Sequence, residues 1–409
     1  SKRAMKTSEV LPRFEALLGL IYAGCYLKNM EKFIEPATVA LADECHHLIN
    51  SEEIVFSRNS QDILNIFTIL IWAKLALKDS NWNPSVTHLE TIEKLAPVLR
   101  NLRHSDAGLP RFHGSCGDVD GQLDQALSNA ESRKTSLSET SVGFAKLSNS
   151  RTTVIIDAAP PPMGKKAVKA DASTLAFEMV SGQRRVFTSC GPGYLFGSDL
   201  SLVGRQTSSH CAVYIEDRNS SEFSSVEGWF KTSKKMIING PRTVPKEIFN
   251  HEGAGIFEGA HDGFVQSYGL THVRKLKLSQ DGYTFEGEDL MIAIEDSHKR
   301  QFDKVSKKNR NDQLSVNAAF HLHPNVVVRL DQENNRISLA LKNGEVWIFN
   351  HGSDLRLQLE PTIFFESGLF EPLESKKLIL SADLLEYGTR IKWSLTRALD
   401  KDLSVGDLF

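Results

Sequence analysis

Apolar side chains recur every three or four positions through Leu11–Leu27, Phe33–Ile49, Ile63–Leu77 and Val86–Leu102, the spacing that lays one apolar stripe along a helix. The front of the chain is therefore predicted to form four helices, paired antiparallel so that each buries its stripe. Asn81-Trp82-Asn83-Pro84 stops the third helix, and Asn83, Ser85 and Thr87 each offer a side-chain oxygen to cap the fourth. From His104 to Ser141 the residues turn to Gly, Ser, Asp and Asn, with one short helix predicted at Asp120–Glu131, and the segment reads as a connector. Beyond Val142 the period becomes two. Short runs at Thr153–Ile156, Thr174–Met179, Ala212–Ile215, His272–Leu278, Asn325–Leu330, Arg336–Leu341, Val346–Phe349 and Lys376–Leu380 are separated by Gly, Asn, Asp and Ser. Asp281-Gly282 and Asn343-Gly344 are hairpin signals, because glycine accepts the positive φ of a tight turn. No helix-length segment recurs between these strands, so an antiparallel β-sandwich is expected and a doubly wound α/β fold is not. The fold class that follows is α+β and multidomain: a helical domain at 1–105, a connector at 106–141 and a strand-rich domain at 142–409.

Charge narrows the partners. The 48 basic and 51 acidic side chains leave a net charge of −3, which provides no general field for nucleic acid. Five scattered cysteines, Cys25, Cys45, Cys116, Cys190 and Cys211, lack metal or redox spacing and read as reduced thiols. Ile63–Leu77 is the most apolar stretch, but Asn65 and Lys74 interrupt it and it is too short to span a membrane; it reads as a buried helix. The chain opens at Ser1 with no initiator methionine and no leader pattern, as in a processed or incomplete protein. Pro160-Pro161-Pro162 reads as an exposed kink, Gly191-x-Gly193 as a turn, and Lys304–Arg310 as a solvated loop. No phosphate loop, nucleophile elbow, His-Glu-x-x-His or dinucleotide fingerprint is present.

The candidate chemistry lies in the histidines of the strand-rich region. His321 and His323 alternate so that both imidazoles would share one strand face, as two metal ligands or a stacked cross-strand pair. His261, beside Asp262 and Gly263, reads as an imidazole on an exposed turn, next to a carboxylate able to raise its pKa. His272 and Arg274 alternate with Val273, so both would project into a cleft and bind a carboxylate or sulfate, or form the solvated face of a half-buried strand.

Several motifs in order resemble the heparinase II/III-like polysaccharide lyase family. They are Val142-Gly143-Phe144-x-x-Leu147 with Asp157-Ala158-Ala159-Pro160-Pro161-Pro162, Leu175-Ala176-Phe177-Glu178-Met179, and Ser209-His210. The longest follows: Ala260-His261-Asp262-Gly263-Phe264, Gly269-Leu270-x-His272-x-Arg274 and Gly287-Glu288-Asp289, then Phe320-His321-Leu322-His323-Pro324. Ser57-Arg58-Asn59, Asp106-x-Gly108-Leu109 and Phe112-His113-Gly114 fit more loosely. The resemblance implies an N-terminal (α/α) toroid, here incomplete, followed by a large antiparallel β-sandwich, and an acidic polysaccharide as partner. It also implies β-elimination: a cation or amide neutralises the uronate carboxylate, a base takes the C5 proton, and an acid protonates the departing oxygen. On this reading His210, His261, His323 and Tyr194 are the catalytic candidates, and Arg58, Asn59, His272, Arg274 and His321 the substrate-binding ones. The family's location would be the bacterial cell envelope, although reduced cysteines suit the cytoplasm equally.

The departures from the family pattern are specific. Asp171 stands where a histidine is usual, Ser189 where Asp or Asn is usual, and Val55 where the toroid carries a histidine. Of three positions resembling zinc ligands only His210 remains, so no metal and no other cofactor is expected. Two readings follow: a polysaccharide lyase, or a catalytically degenerate relative that binds an acidic glycan or a partner. A glycoside hydrolase has little support, since no carboxylate pair is marked out by its context.

Overall fold

The computed structural model describes residues 10–50, 57–117, 121–131, 140–164, 168–227, 233–308, 314–331 and 336–398. Val55 and the tip of the Lys-rich stretch at 309–310 lie outside them. The chain forms two compact units whose segments interleave in sequence. The first comprises Ser1–Arg103, Ala107–Pro110 and Gly117–Val142; the second comprises His104–Asp106, Arg111–Cys116 and Gly143–Phe409. The stretch expected as a connector is thus divided between the two.

The first unit is helical: α1 (Val10–Tyr26), α2 (Ile34–Asn50), α3 (Ser60–Asp79), α4 (Val86–Leu102) and the short α5 (Gln122–Asn129). The apolar stripes face inward as Phe14, Leu17 and Ile21 of α1, Leu41 and Cys45 of α2, and Leu95 and Leu99 of α4. The α3 helix is long and apolar enough to cross a membrane by length and composition, but 72% of its apolar window is buried in the protein. Asn59 caps α3: its side-chain oxygen accepts the Gln61 and Asp62 backbone N–H groups at 3.0 and 3.1 Å. Ser85 caps α4 in the same way through His88 N–H. Lys74, only 5% exposed, carries its charge out of the bundle to Glu131 at 2.8 Å. A two-residue strand, β1 (Thr140–Ser141), closes this part of the sequence.

The second unit holds β2 (Phe144–Asn149), β3 (Thr152–Asp157), β4 (Phe177–Ser181), β5 (Arg184–Phe187), β6 (Val213–Ile215), β7 (Glu222–Glu227), β8 (Ser233–Asn239), β9 (Lys246–His251), β10 (Ala254–Phe264), β11 (Leu270–Leu278) and β12 (Thr284–Ile292). It continues with β13 (Ser315–His321), β14 (Val327–Asp331), β15 (Arg336–Ala340), β16 (Val346–His351), β17 (Arg356–Phe364), β18 (Leu373–Asp383) and β19 (Gly388–Arg397). Strands β2 to β5 pair in sequence order, an eight-stranded sheet runs β14-β15-β16-β19-β12-β11-β10-β9, and a third runs β17-β18-β13-β6. Strands β7 and β8 form a separate hairpin. The pairings described are antiparallel, and the two Gly turns expected from the sequence join β11 to β12 and β15 to β16, with Gly282 and Gly344 at φ 72° and 85°.

One apolar core gathers side chains from these sheets around Trp393, whose ring lies 4.9 Å from Phe320, 5.3 Å from Phe285 and 5.5 Å from Phe177. Gly287 on β12 makes room for it: a Cβ there would lie 2.0 Å from the indole. Three expectations need correction. Two short helices, α6 (Val265–Tyr268) and α7 (Asp296–Lys308), stand among the strands, and α7 takes Lys304–Lys308 out of the expected loop because Phe302 supplies a buried anchor. Pro161 and Pro162 are buried, with only Pro160 exposed. The Leu-x-Phe-Glu strand begins at Phe177, since Leu175 takes a positive φ of 64° that ends regular extension.

Candidate functional site

Strand β10 and its neighbours place the longest motif. His261 and His272 are paired residues on β10 and β11, and Arg274 lies across β11 from Asp289 on β12. Gly263 N–H donates to His261 Nδ1 at 3.1 Å, His261 Nε2 lies 3.1 Å from His272 Nδ1, and His272 Nε2 lies 2.8 Å from Asp289 Oδ1. Burial, reinforced by neighbouring positive groups, holds both imidazoles below their ordinary pKa, and His261 well below it. Because Nδ1 of His261 accepts, its proton sits on Nε2 and points to His272, whose own proton points to Asp289. The result is a directed line of hydrogen bonds ending on a carboxylate. Arg274, completely buried, fixes that carboxylate through Nε at 2.6 Å and Nη2 at 3.1 Å, while Nη1 donates to the Leu175 and Cys211 carbonyls. Against the penalty of burial, Arg274 and His272 together hold Asp289 ionised well below the usual carboxylate range.

These positions correct the sequence reading. His261 is 2% exposed inside a strand, not on an exposed turn, because the Asp-Gly pair forms a bulge between His261 and Phe264. His272 and Arg274 point into the interior, where Asp289 pays back their burial, and not into a cleft.

A second buried network surrounds the segment Arg111–Cys116. His113 and Asp171 clasp each other through the backbone: His113 N–H donates to Asp171 Oδ2, and Asp171 N–H donates to His113 Nδ1 at 3.2 Å. His113 Nε2 lies 3.2 Å from Asp157 Oδ2, which also accepts the Ser173 hydroxyl at 2.6 Å. Burial pushes the Asp171 carboxyl up to about 7, even though Arg205 and the His113 and Gly114 N–H groups favour its charge. On β4, Glu178 accepts N–H donors from Arg111 and Ser189, with Arg185 Nη1 at 3.6 Å and His104 Nε2 at 3.8 Å. These partners outweigh burial and lower its pKa.

His210 stands at the end of the 3₁₀ turn Thr207–Ser209, fully buried, its ring 6.0 Å from Phe112. Neither ring nitrogen has a hydrogen-bond partner among the described residues, nor does the Ser189 hydroxyl. Burial and nearby His113 push His210 down to about 4. His321, also fully buried, pairs with Thr362 at 3.1 Å and is pushed down to about 3 by burial and then His210. His323 lies beyond the end of β13 and is pushed down to about 4 by burial and then Arg185 and Arg111; its Nδ1 accepts the Asn325 N–H, and its ring stacks edge-on against Phe364. It therefore does not share a strand face with His321. The Tyr194 hydroxyl donates to the Gly114 carbonyl at 3.1 Å, under the Lys169 ammonium, which lies 4.8 Å from its ring.

The candidates thus fall into separate groups. His261, His272 and Arg274 share one buried cluster, and His210 and His321 lie in another. His323 and Tyr194 are partly exposed in the second unit, while Arg58 and Asn59 belong to the first. Arg58 is buried with its Nε donated to the Val142 carbonyl at 3.2 Å, and Asn59 is committed to the α3 cap. The sequence reading missed His104, Arg111, His113, Asp157, Glu178 and Asp289 as site residues; the available signal was that four of them, His113, Asp157, Glu178 and Asp289, fall inside the quoted motifs.

A zinc ion of the kind some heparinase-like proteins hold does not fit these residues. At the three positions that resemble its ligands stand the His210 imidazole, the Ser189 hydroxyl and an Asp171 carboxylate already bonded to the His113 backbone N–H. No three His, Cys, Asp or Glu side chains among the described residues form a metal-holding group.

A family model described as "Heparinase II/III-like, C-terminal" matches residues 133–394. FtsZ-localized protein C of Caulobacter vibrioides is 24% identical over 383 residues, covering 92% of this chain and 64% of that protein. The heparan sulfate lyase HepC of Pedobacter heparinus superposes with a TM-score of 0.65 at 13% identity, over 97% of this chain and 61% of its own. A structure of heparinase III superposes with a TM-score of 0.66 at 14% identity, over 97% of this chain and 62% of that one. At those identities the structural likeness establishes a shared fold, and this chain spans less than two thirds of each relative.

Proposed function

This chain belongs to the heparinase II/III-like family, and from that premise we propose that it is a binding member of the family that does not turn over polysaccharide. Its ligand on this reading is an acidic polysaccharide, held without elimination. The observation that carries the proposal is the burial of His210, His261, His272 and His321, none more than 2% exposed and all with lowered pKa. A base for elimination must reach the C5 proton of a bound sugar, and a sealed imidazole reaches no polymer. The directed hydrogen bonds of His261 and His272 give those rings a structural role instead. The Caulobacter relative is named for localisation to FtsZ. By likeness to the family we take α1–α5 as part of an (α/α) toroid and the sheets as a β-sandwich, with 1–105, 106–141 and 142–409 as working divisions.

A second reading keeps the lyase reaction, with His323 as base and Tyr194 as acid. It is favoured by the partial exposure of these two candidates. Incubation with heparan sulfate, alginate and other uronate polymers separates the two by the absorbance of the unsaturated product. Retention on immobilised polymer without product supports the binding role; product formation that is lost in Tyr194→Phe and His323→Ala overturns it.

A further inference from the structure

A cleft of about 730 Å³ opens in the second unit between the base of the β7–β8 hairpin, the segment 217–221 and the β10 bulge with the α6 helix that follows it. That is within the roughly 300–1,000 Å³ of small-molecule sites. None of the residues discussed above as catalytic or substrate-binding candidates lines it. Its depth holds an unanswered polar group: Ser221 is 3% exposed, and its hydroxyl has no hydrogen-bond partner among the described residues. Buried hydroxyls are almost always paired, so one facing a cleft marks a place for an incoming partner. Gly240 packs closely against that hydroxyl. Its φ lies outside the range that demands glycine, yet a Cβ there would stand 2.6 Å from the Ser221 oxygen.

The rim decides the chemistry. Asp262 Oδ1 accepts the Arg242 backbone N–H at 2.9 Å, which leaves its second oxygen as an acceptor, and the Arg242 side chain lines the same cleft with its guanidinium donors. Asn239 and Gln266, bonded to each other at 2.9 Å, retain further donor and acceptor positions. Two cations, Arg218 and Arg242, face three carboxylates, Asp217, Glu222 and Asp262, so the cleft carries one more negative than positive charge. Such a balance disfavours a uronate or sulfate and suits a ligand whose groups both donate and accept. We infer that this cleft binds an uncharged sugar unit, with Ser221, Asp262 and Arg242 as its hydrogen-bonding partners.

The test uses the full chain with cellobiose, maltose and di-N-acetylchitobiose as neutral probes and an unsaturated heparan disaccharide as the acidic one. Saturation-transfer NMR and titration calorimetry should show binding of at least one neutral probe, about tenfold tighter than the acidic one. Arg242→Ala, at an exposed position, and Ser221→Ala should each weaken it about fivefold or more, and Gly240→Ala more strongly. Ser221→Ala also gives a separate readout: a purely structural hydroxyl would alter the unfolding temperature without altering sugar affinity. Failure of all three neutral probes to bind, preference for the acidic probe, or unchanged affinity in folded Arg242→Ala and Ser221→Ala overturns the inference. Product formation from uronate polymers is a different measurement, so this site stands or falls separately from the proposed function.

Discussion

His261 on β10 and His272 on β11 face each other at 3.1 Å between Nε2 and Nδ1, their rings 80° apart, so that one donates and the other accepts. His272 must be neutral to accept at Nδ1, and His261 must be neutral because its own Nδ1 accepts the Gly263 N–H; an imidazolium has no acceptor nitrogen.

Stability should therefore fall as acid is added. In the unfolded chain these histidines take protons near pH 6.5, while in the folded protein His210 holds out to about 4 and His321 to about 3. Above pH 6.5 neither state is protonated and the stability is complete; from there down to about 4 only the unfolded state gains protons. Each fully buried histidine then costs roughly 1.4 kcal/mol per pH unit. Urea midpoints at pH 7.5, 6 and 5 measure this, and a flat series would refute it.

Asp171 titrates with the opposite sign. With its carboxyl raised to about 7, its contribution is fully present below about 3.8 and is lost as pH rises through 7. Asp171→Asn keeps an acceptor for the His113 N–H and abolishes the ionisation. The variant should gain on the parent above pH 7, with the gain shrinking toward pH 4. Thermal unfolding of both proteins across that range checks it; a gain independent of pH contradicts the assignment.

Replacing Arg274 by Met removes the bidentate partner of a buried carboxylate and should destabilise the protein by about 3–5 kcal/mol. Adding Asp289→Leu should recover part of that loss, which chemical denaturation of the single and double variants would resolve. Equal losses in both would mean that the guanidinium acts through its carbonyl contacts alone.

The thiols of Cys45, Cys190 and Cys211 are buried and pushed up to about 12, whereas Cys25 and Cys116 keep some exposure. A maleimide at neutral pH should modify Cys25 and Cys116 first and reach the other three only after denaturation. Peptide mapping by mass spectrometry distinguishes the sites, and early labelling of Cys190 or Cys211 would contradict the packing described.

Gly287→Ala pushes a methyl group into the Trp393 ring. The core must shift to admit it, at a cost of about 1–3 kcal/mol. A lower unfolding temperature with altered tryptophan emission is expected; an unchanged protein would show the indole free to move.

Much of the fold was legible because periodicity reports burial directly. The four main helices follow from the three- and four-residue spacing, and the Asp281-Gly282 and Asn343-Gly344 turns from the need for positive φ. The α7 helix was hidden, since apart from Phe302 it buries little and its residues are mostly charged. For the candidate site, the motifs marked the right residues but not their surroundings. A His-x-Arg alternation reads the same whether its face meets water or a buried carboxylate, and Asp289, fifteen positions beyond Arg274, decides between them. His113 was passed over because its partners Asp157 and Asp171 are distant in sequence.

The interleaving of the two units bears on how this protein can be cut or recombined. Phe112 stacks 5.8 Å from Phe144, and His113 is clasped to Asp171, so a strap from well upstream is stitched into the strand-rich unit. A fragment beginning at Gly143 would leave that slot empty, with Asp157 and Glu178 stripped of partners supplied by His113 and Arg111. The second unit is therefore not a cassette that a single break could transfer to another chain: a crossover would have to fall upstream of His104, carrying strap and sheets together.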